Sequence, residues 1–598
     1  MILKTFSLFS EYFLAIALIY TIIVGTLLFF STKTNTFIIS GLSQCILLLF
    51  FLTFYLLTSD NLISNLPVFC CNKAFLKDPL ALYGKILICL FFIFYIILTL
   101  DSLIEQNLNS FEYFIILLFS VLGLLLLCSG FDLLIIYICI ELSGLSCYVL
   151  AAFNTNSRYS VDAGLKYFIT GSLSSAFFLF GSSLLYFSSG SINFEHFYIL
   201  FTLEPYYWFN WELDYFLATY NFFFAWENKQ IVLQELTELI SILLPLRDLE
   251  IYQLIWKSII IDYGILFILC GLSIKLALAP FHMWSLDIYE SSPTNSSIFF
   301  AVFLKISLFI IIIRFCYTCF YPNKKIWGLY FLVIGLLSIF IGSFGGVTQK
   351  RLKTLLAYSS ISHMGYLLLP LSTGSYFSIE VFIFYISIYM LTSLCAWSVL
   401  LFLRIKNNKI SYKYSKELGD LSGLGVTHKG FSFLWAILLL SLAGIPPLIG
   451  FVSKLVVFFI LIKNNYFFSI LSILLFSVIS TFYYIRILKV IYFENTLVGK
   501  LYYPIKIKKT LLLTCLIFIL ILLFFNPTGL YLISHSIALN LPDCFPFLHI
   551  GNITDKQVFV YPLCAMDTLD TLTNIINLYN NNKPLDVNGN YIPIILPK

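Results

Sequence analysis

The sequence predicts an all-α polytopic membrane protein of about fourteen transmembrane helices, with two inverted five-helix repeats that contain broken helices. Three observations carry that reading. First, the chain is 60% hydrophobic and only 11% charged, with a mean hydropathy of +0.95. Soluble domains carry roughly 25% charged residues, so this much apolar surface cannot be hidden in a water-soluble core. Second, apolar runs of roughly twenty residues, long enough to cross a bilayer, recur along most of the 598 residues. Third, two of those runs combine a lysine with a proline break: Lys275 with Pro280, and Pro446-Pro447 with Lys454. A charge at membrane depth costs roughly 2.5–3.5 kcal/mol on insertion scales. A broken helix there frees backbone groups that only protein or water can satisfy. A lysine snorkelling from a helix end is the plainer account of such a residue, whereas lysine and break together point to an ion pathway.

The runs lie near 8–30, 37–58, 79–100, 111–129, 131–153, 164–188, 259–281, 296–316, 326–346, 353–372, 376–403, 431–461, 466–488 and 509–533. The first is too long for a cleavable signal and lacks a small-residue cleavage site. An even number of spans puts both termini on one side. Basic residues cluster in three connections: Lys350, Arg351 and Lys353; then Arg404, Lys406, Lys409, Lys413 and Lys416; then Arg486, Lys489, Lys500, Lys506, Lys508 and Lys509. All three fall opposite the termini. Positive loops stay on the side of synthesis, so both termini are expected to face outward. Residues 189–258 hold no spanning run. They carry nine acids against Lys229, Arg247 and Lys257, which suits the outer face. Apolar spacing over Ile231–Leu244 suggests an amphipathic helix on the bilayer or a neighbour. Residues 534–598 read as a polar tail rich in Pro and Asn, an arm over a partner or a disordered segment. The expected organisation is an N-terminal three-helix segment (1–110), a first repeat (111–316) carrying the acidic insertion 189–258, a second inverted repeat (326–490), a C-terminal transmembrane region (491–533) and the tail.

The charges inside the apolar runs are the candidate functional residues. Glu141 stands mid-way along the run 131–153, and Lys305 lies in 296–316. Lys454 follows the second break, His363 lies in 353–372, and Lys166 opens 164–188. With Lys275 these form a row of titratable groups at membrane depth, which is what a proton relay requires. Glu141 near Lys275 would titrate as a coupled pair. For Lys166, beside a loop, a structural or lipid-facing role and a relay role both fit. For His363, a satisfied polar residue and a proton carrier both fit. The row lacks the carboxylates of a calcium site and the Cys/His set of a haem or iron–sulfur site. The fourteen cysteines are scattered without paired CxxC spacing and read as small core residues, while Cys70-Cys71 has no evident role. A net charge of +5, dispersed along the chain, excludes nucleic-acid binding. The two interrupted runs lie an odd number of helices apart and so run in opposite directions, the signature of inverted transporter repeats.

Several motifs occur together and in order. They are Asp132-Leu-Leu with Glu141-Leu-Ser-Gly-Leu-Ser-Cys-Tyr-Val-Leu-Ala-Ala-Phe, Leu165-Lys166-Tyr167-Phe168 with Gly171-Ser-Leu-Ser-Ser, and Lys275-Leu-Ala-Leu-Ala-Pro-Phe-His-Met-Trp with Asp287-Ile-Tyr-Glu-Ser-Ser-Pro293-Thr. Lys350-Arg-Leu-Lys-Thr-Leu-Leu-Ala-Tyr-Ser-Ser-Ile-Ser-His363-Met-Gly-Tyr follows, then Leu442-Ala-Gly-Ile-Pro-Pro-Leu-Ile-Gly-Phe-Val-Ser-Lys454 and Tyr483-Tyr-Ile-Arg486. Over roughly residues 110–490 the chain resembles the antiporter-like subunit 2 family of NADH:ubiquinone oxidoreductase (respiratory complex I), in its mitochondrially encoded form. The resemblance implies a proton channel in which Glu141 pairs with Lys275, Lys305 is the central relay and Lys454 the exit-side lysine. It implies no redox chemistry and no cofactor in this chain, with NADH oxidation, FMN, iron–sulfur clusters and ubiquinone in partner subunits. The implied partners are the antiporter-like subunit 4, small membrane subunits and lipids such as cardiolipin. The implied location is the mitochondrial inner membrane, with both termini toward the intermembrane space. The 63 Phe and 39 Tyr fit an AT-rich organellar genome. The 189–258 insertion and the extended tail depart from the family pattern. A stand-alone cation/proton antiporter is the rival reading, since the same core would serve it; a purely structural membrane scaffold is another.

Overall fold

The computed structural model describes residues 8–543 apart from 32–43, 45, 59–67, 107, 109, 199, 201–258, 407–411, 415, 495–501 and 503–506. Most of the acidic insertion, the tail beyond 543 and Lys409, Lys500 and Lys506 therefore lie outside the described residues.

The helices in order are α1 (Phe9–Ser31), α2 (Ile46–Thr58), α3 (Pro79–Glu105), α4 (Phe111–Ser129), α5 (Leu133–Ala151) and α6 (Arg158–Ser189). Then come α7 (259–275), α8 (Met283–Ser291), α9 (Thr294–Ile313), α10 (Lys324–Thr348), α11 (Leu352–Ser372) and α12 (Tyr376–Phe402). The chain continues with α13 (Lys429–Ala443), α14 (Ile449–Lys463), α15 (Phe467–Tyr492), α16 (Ile507–Phe525) and α17 (Thr528–Asp543). Two short antiparallel ribbons interrupt the all-α expectation: β1 (Val68–Cys70) with β2 (Phe75–Lys77), and β3 (Arg404–Lys406) with β4 (Tyr412–Tyr414). The first contains the Cys70-Cys71 pair, with Cys70 buried and Cys71 exposed at the turn.

Three of the runs are broken, two of them where prolines predicted it. The run 259–281 is helical as α7 only to residue 275, with α8 following from Met283; the run 431–461 divides into α13 and α14, and the run 509–533 into α16 and α17, bent by 78°. The last break also corrects the tail boundary, because residues 534–543 continue α17. Nine helices among the described residues are long and apolar enough to cross a membrane, ten if α16 and α17 count as one span. The expected fourteen also included α2, α7, α11 and the α13–α14 pair, which are shorter, broken or more polar.

The apolar helices carry many serines and threonines because each hydroxyl turns back onto a carbonyl of its own helix. Ser120 donates to the Leu117 carbonyl, Ser143 to Ile140, Ser360 to Ala357 and Ser398 to Cys395. A hydroxyl satisfied in this way can lie in an apolar setting without the cost of an unmade hydrogen bond. The core is organised on α9 and α12, each with 94% of its apolar window buried. Both helices are apolar on every face, as a helix surrounded by others must be. Helices α3, α4 and α12 pack on α9, while α11, α14 and α16 pack on α12.

α9 ends in a π-helical turn, Arg314–Cys319. Arg314 is fully buried; it donates to Asp78 Oδ1 at 2.7 Å and to the Gly130 carbonyl at 2.8 Å. Asp78 also caps the first turn of α3 by accepting from the Ala81 amide. One ion pair thus ties the α3 start, the α4–α5 turn and the α9 end. Removing one partner of a buried pair costs about 3–5 kcal/mol, because the other charge is left without compensation. Arg314→Leu is expected to lower the thermal unfolding midpoint of the purified protein sharply, with partial recovery in Arg314→Leu/Asp78→Asn. An unchanged midpoint in the single variant would contradict this account.

The three basic connections meet at one end of the bundle, as their charges predicted. Arg351 bridges Glu417 through the backbone, Ile405 bridges Tyr502, and Arg404 and Lys509 pair with Glu105 and Asp101 near the end of α3. At the opposite end lie the start of α1, where Glu11 pairs with Lys85, and the start of α12, against which α17 lies.

Candidate functional site

The first break is built by the residues after α7. The Ala277 amide donates to Ile274 and the Leu278 amide to Ser273, while Trp284 Nε1 of α8 caps the Ile274 carbonyl at 2.9 Å. The chain turns at Ala277, whose φ of +57° is unusual for a side-chain-bearing residue. Lys275, the last residue of α7, is left pointing at α5, and its Nζ lies 3.4 Å from Glu141 Oε1. The pair expected between them is therefore present, and both side chains are largely buried. Beside it runs a narrow cavity lined by Ser143, Gly144, Tyr148, Lys275, Trp284 and Leu304, with about 20 Å³ open to a water centre. That is room for one or so water molecules. Leu304 adjoins Lys305, so the cavity leads from the ion pair toward α9.

Lys305 is buried between α9 and α12 and donates to the Tyr389 hydroxyl at 2.9 Å. The Tyr389 ring lies 5.4 Å from the His363 ring of α11. His363 Nδ1 in turn lies 2.8 Å from the Tyr385 hydroxyl. Tyr385 stacks on Tyr366, centroids 6.3 Å apart, and Lys454 Nζ lies 5.3 Å over the Tyr366 ring. His363 thus sits between two buried lysines, with Tyr389 between it and Lys305, and Tyr385 and Tyr366 between it and Lys454.

Lys454 answers the second break. α13 ends at Gly444, which takes the left-handed conformation (φ +80°) and returns its amide to Leu440 and Ser441. Lys454 Nζ reaches across from α14 to the Ala443 carbonyl at 2.7 Å and the Leu442 carbonyl at 3.3 Å. It satisfies carbonyls orphaned at the helix end and adds positive charge at the negative pole of the helix dipole. A methyl group on Gly444 would meet Lys454 Cδ at 2.8 Å and Nζ at 3.0 Å. Gly444→Ala therefore both strains the turn, by roughly 1–2 kcal/mol, and pushes the amine off its carbonyls. The expected result is impaired proton transport with the polypeptide still folded, read by comparing transport with the unfolding midpoint.

Lys166 does not join this row. It lies exposed more than two turns into α6, paired with the equally exposed Asp287 of α8 at 2.5 Å. Its place fits a clamp on α8, which Arg351 also holds through Glu290 and Lys353 through the Ser292 carbonyl at 2.8 Å. The sequence reading also missed buried charges. Glu141 is not the only acid within the bundle: Glu11 pairs with Lys85, and Glu380 with His535. Their signal was available, since each is a charge in or beside an apolar run. Among the described residues no group of His, Cys, Asp and Glu could hold a metal ion.

Helix breaks facing a buried row of amines and tyrosines define an antiporter-like polytopic membrane protein. Residues 130–480 match the family described as NADH:quinone oxidoreductase/Mrp antiporter, TM. The chain is 33% identical over 485 residues to NADH-quinone oxidoreductase subunit N of Pelagibacter ubique, covering 81% of this chain and 89% of that protein. It is 34% identical over 444 residues to NADH-ubiquinone oxidoreductase chain 2 of Marchantia polymorpha, covering 74% of this chain and 80% of that one. A chain of the respiratory complex I structure from Thermus thermophilus has the same fold, with a TM-score of 0.63 at 23% identity, covering 87% of this chain and 98% of that one. The chain belongs to the NADH:quinone oxidoreductase/Mrp antiporter membrane family, among its antiporter-like chain 2 and subunit N members.

Proposed function

We propose that the chain is a membrane-arm subunit of NADH:ubiquinone oxidoreductase and translocates protons across the membrane, driven by redox chemistry in other subunits. The observation that carries this is the buried series from Glu141 and Lys275 through Lys305, Tyr389 and His363 to Tyr366 and Lys454. It offers alternating proton-holding amines and hydroxyls with a water-sized space beside it. In this reading a change of charge at Glu141–Lys275 alters the field at Lys305. The proton shift continues through Tyr389 and His363, and Lys454 releases a proton at the second break. The chain itself carries out no redox step and holds no cofactor; NADH, FMN, iron–sulfur clusters and ubiquinone belong to partner subunits. Those partners are the antiporter-like subunit 4 and small membrane subunits, with cardiolipin-type lipids at the bilayer faces. The location is the mitochondrial inner membrane, both termini toward the intermembrane space.

The same proposal includes fourteen spans and two inverted repeats, with boundaries at 111–316 and 326–490. Close helix crossings support the pairing of the halves. Gly123 of α4 lies against the Ser143 backbone of α5, and Gly342 of α10 lies against the Ser362 backbone of α11. The glycine-to-serine spacing is the same in both, and in this reading Gly144 corresponds to His363. The outer-face insertion 189–258 and the tail are proposed to contact neighbouring subunits. Purifying the chain from its native membrane tests the main reading: it predicts a large assembly with flavin and iron–sulfur subunits that reduces quinone. Recovery as a free cation-transporting protein would favour the stand-alone antiporter instead.

A further inference from the structure

The row of relay residues does not account for Glu380. This glutamate lies one turn into α12 and is 2% exposed. Its Oε2 is 3.0 Å from Nδ1 of His535 on α17. The His535 side chain is 44% exposed, so the pair joins a buried oxygen to the surface. The Tyr531 hydroxyl lies beside the carboxylate, and its ring packs on Phe384, one turn along α12. Tyr385, which bonds His363, follows little more than a turn beyond Glu380 on the same helix. The pair stands at the end of α12 opposite the basic loops. A buried carboxylate is costly if it serves only structure, and an apolar pair of the same shape would hold α17 as well.

We propose that Glu380 and His535 form a proton-exchange site, where a proton carried by the buried series meets water at the end of the bundle opposite the basic loops. This rests on the proton-translocating reading above and adds a site to it. A proton arriving on the Glu380 carboxyl passes from Oε2 to Nδ1 of neutral His535, breaking the O–H bond and forming the N–H bond. The resulting imidazolium gives its Nε2 proton to water, leaving the carboxylate hydrogen-bonded by Nδ1–H. Uptake is the same sequence reversed. Titratable and charged groups at this end include Tyr531 on α17, Tyr376 on α12, Lys463 of α14 over the Phe377 ring at 4.1 Å, Lys324 of α10 beside Gly374, Tyr317 and Tyr321 after α9, and the Glu11–Lys85 and Asp78–Arg314 pairs.

The test uses the whole assembly in sealed vesicles, with Glu380→Gln, His535→Gln and Glu380→Asp, and Lys454→Ala as reference. Pumping and quinone-linked turnover are followed across the pH range in which histidine titrates. Glu380→Gln and His535→Gln are expected to slow proton transfer at this step on the order of 100-fold, cutting pumping, and to flatten its pH profile. Glu380→Asp is expected to retain the parent's profile. If both neutral variants pump with the parent's rate and pH profile while Lys454→Ala does not pump, the exchange site is wrong and the relay stands. If the variants only reduce the amount of assembly, with pumping per assembled complex unchanged, the pair is a structural tie and the proposal is overturned. If Lys454→Ala also pumps normally, the underlying reading fails first.

Discussion

Lys454→Ala is expected to abolish proton pumping by the assembled complex while leaving electron transfer from NADH to an artificial acceptor intact, because that chemistry lies in partner subunits. The amine holds the Leu442 and Ala443 carbonyls and faces the Tyr366 ring. Truncation removes the proton-carrying group and leaves buried carbonyls unsatisfied, at about 1–3 kcal/mol, so assembly must be measured alongside. Lys454→Arg separates the two effects. A guanidinium can still donate to both carbonyls and keep the charge, but it does not release a proton at any accessible pH. Arg is therefore expected to restore stability and not pumping. A Lys454→Arg assembly that pumps like the parent would show a fixed charge that shapes the local field.

Glu141→Gln and Lys275→Met are expected to have the second large effect. The two groups face each other at 3.4 Å across α5 and α7, so their protons are coupled and each depends on the other's charge. Gln keeps the shape of Glu141 but fixes its charge at zero, and Met fills the space of Lys275 without a titratable group. Each variant is expected to lose coupled pumping, and the double variant is expected to lose little more than either single one, since the groups act as a unit. Additive losses would mean that the two lysine and glutamate positions serve separate paths. Pumping equal to the parent in both single variants would remove the pair from the mechanism.

Much of this was legible in the chain itself because it depends on composition and local chemistry. A twenty-residue apolar run spans a bilayer whatever surrounds it, and the prolines at 280 and 446–447 mark places where the helical hydrogen-bond ladder is interrupted locally. Lys275, Lys305, Lys454, Glu141 and His363 stood out because a charge in an apolar run has no local partner and must find one elsewhere. The clustering of basic loops on one face followed from counting helices. For Lys166 the chain left a structural and a relay role open, because Asp287, which reaches it, comes from a helix distant in sequence.

The sequence by itself determined the membrane class, the breaks at Pro280 and Pro446-Pro447 and the identity of the buried amines, since these follow from residue type and spacing. Only the tertiary structure decided which groups meet. Tyr389 and Tyr385 lie in an apolar helix where nothing local distinguishes them from packing residues, yet the crossing of α9, α11 and α12 sets Tyr389 between Lys305 and the His363 ring and gives Tyr385 its hydrogen bond to His363. Arg314 with Asp78 and Glu380 with His535 join positions far apart in the chain. In an apolar interior a charge must be matched by another at short range, and which one is set by helix packing, a property that no single stretch of sequence carries.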